Sequence, residues 1–566
     1  MAAAKRPAML MVIIGGDALA LRVVAELSGT AGQRVALVWQ PDGDLEARAT
    51  AAGAEFVAFG GDERETLLRA GVPDAGVLVA LTQDDQLNLK TALLARDLNP
   101  EIRLVLRQFN RTLGRKIEQN LANCSVVSLS SQSAATYAGI AVDPYCYYGV
   151  QFPDIDGPLL GFSSHRAGTL GIAGRDAAQA EAHLGARLVA RGSLASFDRA
   201  AIFEEGDDVV VFGYVRPHAR PKARSRVRAF RRILDPALIA RRFRQLDPVV
   251  RGAVLGGASI FALGSAFFSA TLHVGPLRAG YFVLTTMTTT GYGDVVPTSA
   301  AGELVAMLLM LAGLAFTGIF IAVLATRFTN AQYVAVQGLR RISRRGHVVV
   351  CGAGNVGSRV VDYLRALGCD IVVIEVEPRA ELIERARDRH IDLLTGDATK
   401  DTTLDLCNIA EASALIALTN NDTMNLEVAL GARARNRDLP IVMRVQEEAF
   451  EKSVRRHFEF YNTHSTAALA APVFAGLTRT RGVRGRVCVG ELEYSIVELA
   501  YDAVLEEPPR PSCLPLGVWR DARFVPLASF DAARPFETVL MLVPVGELRG
   551  EKAAALRAAA GERDAE

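Results

Sequence analysis

The chain has 566 residues, and its 63 Lys and Arg nearly balance its 62 Asp and Glu, for a net charge of +1. This balance argues against a nucleic-acid-binding protein held by bulk positive charge. Half of the residues are hydrophobic, which excludes a disordered chain and directs attention to membrane spans. The seven cysteines are irregularly spaced, so free thiols are favoured over a disulfide framework or a zinc site.

The first part of the chain contains a unit that recurs much later. Residues 79–89 (VALTQDDQLNL) resemble residues 416–426 (IALTNNDTMNL) at an offset of 337 positions, and Gly15 matches Gly352 at the same offset. Such self-similarity predicts two related domains, called here the first copy and the second copy. The repeat identifies the apolar run Met9–Ile14 as a first strand rather than a signal peptide.

Each copy alternates short β-type runs with helical stretches, which predicts βαβ units and a parallel sheet covered on both faces. In each copy a more strand-rich piece follows the repeated unit, at residues 141–215 and 489–548. Within the first piece, residues 201–213 (AIFEEGDDVVVFG) predict two strands joined by an acidic glycine turn. In the second copy we expect strands at 347–350, 370–374, 392–394, 415–418 and 441–445, and helices at 356–367, 379–389 and 424–434.

Two uncharged apolar stretches lie between the copies. Residues 252–272 and 304–326 are 21 and 23 positions long, and a helix needs about 20 apolar residues to cross a bilayer. We therefore expect two membrane spans. Residues 229–246, just before them, combine arginines with apolar side chains, and they fit either an interfacial helix on anionic lipid or a solvated basic linker.

Charges flanking the spans predict their orientation. Residues 216–251 hold twelve Lys and Arg against two Asp, and residues 327–345 hold five Arg and no acid. The connector between the spans has only Arg278 against Asp294 and Glu303. Because basic flanks stay on the cytoplasmic side, we expect both termini in the cytoplasm and the connector outside.

The connector contains residues 288–294, which read TTTGYGD. A glycine-rich loop can turn successive carbonyls toward one axis, and four such loops can replace the water shell of a cation. The segment resembles the T-x-G-Y-G-D signature of tetrameric potassium channels, with Thr290 where many relatives have Val. The resemblance implies that potassium ions lie against Thr289, Thr290, Gly291 and Tyr292, that Gly293 closes the selectivity filter and that Asp294 braces it.

The second span contains a glycine, Gly313, at 19 residues beyond Asp294. Glycine lowers the cost of bending a helix, and the family resemblance implies a gating hinge at this spacing. Gly318 is an alternative hinge, and either glycine could instead permit close helix packing.

The second copy carries a GxGxxG motif between a predicted strand and a predicted helix. Such a turn places backbone amides and a helix N-terminus against phosphates, and Glu375 lies where a carboxylate can accept ribose hydroxyls. A nucleotide-type fold kept only for assembly is the alternative. The predicted nucleotide site comprises Gly352, Gly354, Asn355, Val356, Gly357 and Glu375.

The two copies resemble RCK domains, which regulate potassium conductance and consist of TrkA-N and TrkA-C lobes. This resemblance implies that Asp397 and Ala398 lie near the nucleoside and Arg444 near a phosphate, with NAD(H) or an adenine nucleotide as ligand. Calcium-gated relatives have carboxylates where this chain has Leu418, Arg444 and Gln446. The substitution favours a nucleotide, although another divalent-cation site remains an alternative.

The first copy departs from the nucleotide-binding pattern. Asp17, Ala20 and Trp39 stand where the second copy has Gly354, Gly357 and Glu375. An aspartate would repel a pyrophosphate, so we expect a structural role for the first copy.

The predicted fold class is multidomain, with two Rossmann-like α/β RCK domains, each with a smaller α+β C-lobe, flanking an all-α transmembrane pore module. The expected segments are first N-lobe 8–140, first C-lobe 141–220, basic linker 221–251, pore module 252–330, linker 331–345, second N-lobe 346–475, second C-lobe 476–552 and tail 553–566.

The sequence thus predicts a ligand-gated potassium channel in the plasma or inner membrane. By resemblance it is a homotetramer with an eight-domain gating ring, embedded in lipid and bound to a nucleotide but not to nucleic acid. We expect no enzyme activity, because the sequence contains no acid–base constellation for one. The alternatives are gating by a divalent cation and a membrane-anchored regulator of potassium transport.

Overall fold

The computed structural model describes residues 9–29, 32–150, 159–193, 197–217, 248–336, 341–388, 391–500, 512–520, 523–526 and 538–547. The chain forms two compact units, one from Met1–Arg220 with Arg341–Glu566 and the other from Pro221–Arg340. The segment predicted as an interfacial helix or linker, 229–246, and the tail at 553–566 lie outside the described residues.

The first copy opens with a six-stranded parallel sheet in the order β3-β2-β1-β4-β5-β6. Its strands are β1 (Met9–Ile14), β2 (Gln33–Trp39), β3 (Glu55–Ala58), β4 (Val77–Ala80), β5 (Arg103–Arg107) and β6 (Cys124–Val127). Its helices are α1 (Ala18–Ser28), α2 (Gly43–Ala51), α3 (Glu63–Arg69), α4 (Asp85–Leu98), α5 (Arg111–Asn120) and α6 (Leu129–Val142). The prediction of a first strand at Met9–Ile14 is confirmed.

A four-stranded antiparallel sheet follows in the order β7-β8-β10-β9. It consists of β7 (Cys146–Val150), β8 (Leu160–Arg166), β9 (Arg187–Arg191) and β10 (Asp208–Tyr214), with helix α7 (Ala177–Leu184).

The hairpin predicted at 201–213 is wrong, because only its second run is a strand. The N–H of Phe203 donates to the carbonyl of Arg175, and its own carbonyl accepts from Gly174. Phe203 is buried among Ala167, Ile172 and their neighbours. The first run therefore bonds to a loop that anchors its aromatic side chain.

The described part of the second unit, residues 248–336, forms three helices, α8 (Pro248–Thr271), α9 (Pro276–Met287) and α10 (Ala300–Val336). Their shared core includes Phe268, whose ring meets Phe282 edge-on at 4.7 Å between centroids. Among the described residues, one helical stretch, Ala300–Ile319, is long and apolar enough to cross a membrane, and Leu255–Thr271 is apolar but shorter. The two predicted spans thus fall on helices, of which the second meets the length criterion.

The second copy repeats the strand order of the first, β13-β12-β11-β14-β15-β16. Its strands are β11 (Val348–Cys351), β12 (Ile371–Glu375), β13 (Asp392–Thr395), β14 (Ala414–Ala417), β15 (Ile441–Val445) and β16 (Thr463–Ser465). Its helices are α11 (Asn355–Ala366), α12 (Ala380–Asp388), α13 (Asp401–Leu406), α14 (Asp422–Arg435), α15 (Glu448–Phe458) and α16 (Thr466–Leu477). The predicted strands and helices are confirmed to within one or two residues at each end.

A five-stranded antiparallel sheet in the order β17-β18-β21-β19-β20 completes the second copy. Its strands are β17 (Val483–Val489), β18 (Leu492–Ala500), β19 (Leu514–Arg520), β20 (Arg523–Pro526) and β21 (Thr538–Pro544). It shares a core with the first antiparallel sheet, where Phe212 meets Phe524 edge-on at 5.3 Å.

The two copies exchange their last N-lobe helices. Helix α6 of the first copy packs on α11 and the second sheet, and α16 of the second copy packs on α1 and the first sheet. The fully buried Tyr137 on α6 donates its hydroxyl to the carbonyl of His464, at 2.9 Å. Because each core is completed by the other copy, the two copies form one folded body. Two Rossmann-like domains and a helical module between them in the chain confirm the predicted fold class.

Candidate functional site

The loop after α9 contains the residues predicted for the selectivity filter. The N–H groups of Thr290 and Gly291 both donate to the carbonyl of Thr285, at 2.9 and 3.2 Å. Thr289, Gly291 and Gly293 have φ of 61°, 53° and 74°, whereas the residues between them are outside the left-handed region. Alternation of this kind turns successive carbonyls toward the same side of the chain.

The filter loop is exposed in the single chain. Tyr292 is 70% exposed, and its ring stacks on Tyr281 with 6.3 Å between centroids. One loop can supply only part of the oxygen shell that a desolvated cation needs, so a complete site requires several copies of the loop.

Helix α10, which contains the second predicted span, passes close to the start of this loop at Gly313. A Cβ on Gly313 would lie 2.6 Å from the Cα of Met287, so this glycine permits contact between α10 and the end of α9. At Gly318, no described atom lies within 4 Å of the added Cβ. Helix α10 continues through both glycines. A packing contact is thus present at Gly313, and the hinge stays a prediction.

The second copy has a cavity of about 480 Å³ at the carboxyl ends of β11, β12 and β14, called here the second-copy cavity. Gly352, Gly354 and Asn355 line it. Gly352 has φ +90°, and a Cβ on Gly357 would lie 1.9 Å from the carbonyl oxygen of Gly352. The motif therefore needs glycine at both places, one for the turn and one for the close approach of helix and strand.

Helix α11 begins at this cavity with Gly354 as its N-cap, and no side chain among the described residues caps it. The first N–H groups of the helix are therefore available to an anion. An anion placed there would also meet the positive end of the helix dipole.

Glu375, at the end of β12, lines the same cavity. Its Oε2 accepts from the N–H of Ala353 at 2.6 Å, and its Oε1 accepts from Val376 at 3.0 Å. The carboxylate thus holds the glycine turn in place. Because an ionised carboxylate has about four acceptor sites, it can accept ribose hydroxyls as well.

Three predicted site residues, Asp397, Ala398 and Arg444, are not among the described residues that line this cavity. Hydrogen bonds from the hydroxyl and N–H of Thr399 hold the pKa of Asp397 below its usual value. Arg444 donates from Nη1 to the Oδ1 of Asn420 at 2.9 Å, and Asn420 does line the cavity. Arg444 therefore contacts a residue that lines the cavity but does not line the cavity itself.

The remaining motif residues lie behind the turn. Val356 is buried in the core beneath the helix, and Gly357 packs against Gly352 rather than facing the cavity.

Several residues that line the second-copy cavity were not predicted from the sequence. Phe109, contributed by the first copy, and Arg379, Arg385 and Met424 of the second copy all line the cavity. Arg379 comes four residues after Glu375, the predicted ribose acceptor at the end of β12. A basic side chain so close to that acid is a sequence signal that could have indicated a phosphate contact. Phe109 comes from the other half of the chain, and only the exchanged packing of the two copies brings it there.

The corresponding place in the first copy is filled by its own side chains. A Cβ on Gly16 would lie 2.2 Å from the ring of Trp39, so the indole covers the glycine turn. Asp17 caps α1 through the N–H of Ala20 at 3.1 Å and pairs with Arg107 at 2.7 Å.

No group of three or more His, Cys, Asp or Glu that could hold a metal ion occurs within the described part of the chain. At the positions compared with calcium-gated relatives, Leu418 lines the second-copy cavity and Gln446 donates its N–H to Asp422 at 2.9 Å.

Comparisons with known proteins agree with this architecture. A family model of the TrkA-N domain matches residues 11–128 and 348–460, and one described as an ion channel matches residues 255–330. The chain therefore belongs to the ion-channel proteins that carry TrkA-N domains, here one on either side of the channel module. The resemblance to potassium channels with RCK domains is confirmed, and the chain is grouped with channels rather than enzymes.

Several curated relatives are named as potassium channels, and two of them show the extent of the match. "Potassium channel protein 1" of Methanocaldococcus jannaschii is 26% identical over 30% of this chain and 52% of its own length. "Voltage-gated potassium channel Kch" of Escherichia coli is 27% identical over 30% of this chain and 42% of its own length. The chain thus spans about half, or less, of these relatives. A solved structure described as "GsuK channel bound to NAD" is 15% identical, with a TM-score of 0.49, and the match covers 97% of this chain and 78% of that one.

Proposed function

We propose that four copies of the chain form a potassium-selective channel in the cell membrane, and that a nucleotide bound to the second copy controls its opening. The observation that carries the channel proposal is the loop at 288–294, which follows α9 and has left-handed backbone at every second residue. The curated relatives that are named as potassium channels support potassium as the ion.

The proposed ion sites are formed by backbone oxygens. Carbonyls of Thr289, Thr290, Gly291 and Tyr292 from four chains would replace the water around potassium. Cyclic symmetry supplies the four loops, since one loop cannot surround an ion. The exposure of Tyr292 in the single chain is consistent with a surface that other subunits cover.

In this proposal α8 and α10 cross the membrane on either side of the loop. Eleven of the twelve basic residues at 216–251 precede α8, and they would then lie on the cytoplasmic side together with both copies. Four chains with two copies each would give 4 × 2 = 8 regulatory domains around the pore axis.

Substitution of the filter glycines tests the pore. Gly291→Ala and Gly293→Ala add a Cβ at φ values that L side chains rarely adopt, so each should abolish selective potassium flux into liposomes while tetramers still form. Gly256→Ala is the matched control, because an added Cβ there meets no described atom within 4 Å and lies in a helix. Wild-type potassium selectivity in both filter variants would contradict the assignment.

The proposed nucleotide site is supported by the second-copy cavity. It combines a glycine turn, the start of α11 and an acceptor at Glu375, which suit a pyrophosphate and a ribose. The basic side chains Arg379 and Arg385 also line it. NAD(H) or an adenine nucleotide fits this combination.

Binding and gating are separable measurements. Calorimetry on the full channel in lipid nanodiscs, with NAD+, NADH, ADP and ATP added in turn, should give saturable binding for at least one of them. Single-channel recording with the same nucleotide on the cytoplasmic side should then show a changed open probability. Saturable binding of calcium together with no response to any nucleotide would instead support the divalent-cation alternative.

A further inference from the structure

A second cavity, of about 420 Å³, lies between the two copies and is called here the inter-copy cavity. Helix α5, strand β6 and the start of α6 line it from the first copy, and α16 and β17 line it from the second. Its volume is in the range of roughly 300–1,000 Å³ that small-molecule sites occupy.

Two buried polar side chains that line this cavity have no hydrogen-bond partner among the described residues. They are Gln108, with both its Oε1 and its Nε2, and Ser131, with its Oγ. Each side chain is only 1% exposed. Buried polar groups are almost always paired, so these two side chains can pair with a molecule that enters the cavity.

The charged residues around the inter-copy cavity favour an anion. Its charged lining residues are Arg115, Arg481, Arg484 and Glu118. Glu118 accepts the N–H of Val126 on Oε1 at 2.6 Å. Arg484 is paired with Glu498 at 2.6 Å, and Arg481 donates from Nη2 to the Oδ1 of Asn123 at 3.4 Å. Guanidinium, amide and hydroxyl groups together suit the oxygens of a phosphate.

In the second copy, a side chain of that copy occupies the position that corresponds to the inter-copy cavity. At the repeat offset of 337, Gly114 corresponds to Glu451 and Gln108 to Val445. Glu451 fills its place by accepting the N–H of Ser465 at 3.0 Å and pairing with Arg455 at 2.9 Å. The first copy thus has Gly114 inside a helix and the buried amide of Gln108. Each of these lowers the stability of the fold, which suggests that the space beside them binds a ligand.

We propose that the inter-copy cavity binds a small phosphate-bearing molecule through Gln108, Ser131 and the arginines around it. Both copies contribute to the lining, so an occupant favours the arrangement in which α5 and α16 lie together. A ligand with such a preference shifts the conformational equilibrium of the regulatory body. The channel would then have a second control input besides the nucleotide site.

Inorganic pyrophosphate is a suitable probe, used in magnesium-free buffer with the full chain in nanodiscs. Gly354→Asp provides the background, because it places a carboxylate in the second-copy cavity and should remove pyrophosphate binding there. We expect one saturable site per chain, with affinity lowered at least tenfold by Gln108→Leu and by Arg481→Gln. Arg166→Gln is the control, because this side chain is 72% exposed and does not line the cavity.

Gly114→Glu tests the same site without a damaging loss of contacts. It introduces the residue of the second copy and removes a glycine from α5, so the melting temperature should not fall, although Val126 must yield slightly to a Cβ at 3.0 Å. Pyrophosphate binding should be lost. Absence of a saturable site in the background chain, or unchanged affinity in Gly114→Glu, would overturn the proposal.

Discussion

The two copies share a framework but differ at the place where a nucleotide would lie. Both sheets have the same strand order, and both fix the end of their fourth strand with the same pair of residues. Asn88 accepts the N–H of Thr82 at 3.0 Å, and Asn425 accepts that of Thr419 at 2.9 Å. The fold is therefore maintained by contacts that do not depend on the glycine turn, which leaves the turn free to differ.

The difference lies in which groups occupy the turn. In the first copy, Arg107 is paired with Asp17 at 2.7 Å and Trp39 covers the glycine. The equivalent arginine of the second copy, Arg444, instead donates to Asn420. In the first copy, the carboxylate of Asp17 and the indole of Trp39 thus occupy the glycine turn. In the second copy, the corresponding turn borders an open cavity.

The largest expected effect comes from giving the second copy the aspartate of the first. Gly354→Asp adds a side chain where no described atom lies within 4 Å, so the fold should tolerate it. Its carboxylate would cap α11 and repel a phosphate, and like charges in contact cost several kcal/mol. We expect calorimetry on the full channel to show nucleotide affinity lowered about 100-fold or more, equivalent to about 2.7 kcal/mol.

Gly43→Asp is the matched control for this substitution. It also introduces an aspartate at the start of an exposed helix, α2 of the first copy, where an added Cβ meets no described atom within 4 Å. Nucleotide affinity should be unchanged. Equal losses in the two variants would indicate a general charge effect rather than a site.

A smaller loss is expected when the acceptor of the second copy is removed. Glu375→Ala deletes hydrogen bonds to a charged group, each worth roughly 1.5–3 kcal/mol, and frees the N–H of Ala353. We expect nucleotide affinity to fall about tenfold to 100-fold, by calorimetry, and gating to shift to higher concentration. Glu411→Ala, which removes an exposed partner of Arg345, should have no effect; unchanged affinity in Glu375→Ala would show that the ribose is held elsewhere.

The copies should also respond differently to acid. His464 of the second copy stands where the first has Val127, and burial, with Arg455 nearby, lowers the pKa of His464 to about 4. In the unfolded chain His464 takes up a proton near pH 6.5, whereas in the folded chain it does so only near pH 4. The contribution of neutral His464 to stability is therefore fully present above pH 6.5 and is lost as the pH falls toward 4. At pH 5 the loss from this group is about 2 kcal/mol.

His464→Val isolates this contribution. The difference in melting temperature between the wild type and the variant should move in favour of the variant as pH is lowered from 7.5 to 5. Other groups, among them Glu451 next to Arg455, titrate in both proteins and cancel in the comparison. A difference that stays constant across this range would contradict a neutral, buried His464.

Much of this comparison was readable from the sequence, because it rests on local signals. The repeat offset, the alternation of strand and helix and the glycine spacing at 352–357 all depend on residues that are close in the chain. The hairpin at 201–213 failed because Phe203 takes its partners from the loop around Arg175. Phe109 in the second-copy cavity and the exchanged helices depend on packing between distant parts, which no local pattern encodes.

The smallest change in nucleotide binding is expected from a substitution in the first copy, which tests whether that copy can bind a nucleotide. Trp39→Ala removes the ring that covers Gly16 and uncovers a turn that still contains Asp17. Because that carboxylate remains paired with Arg107, no phosphate site is created, and calorimetry should give one nucleotide per chain with affinity within about twofold of wild type. Stability should fall instead, since Trp39 packs against the first core and truncation of a well-buried Trp costs about 3–5 kcal/mol, less for a partly exposed one. A second nucleotide bound per chain in this variant would mean that the indole alone, and not the aspartate, closes the first copy.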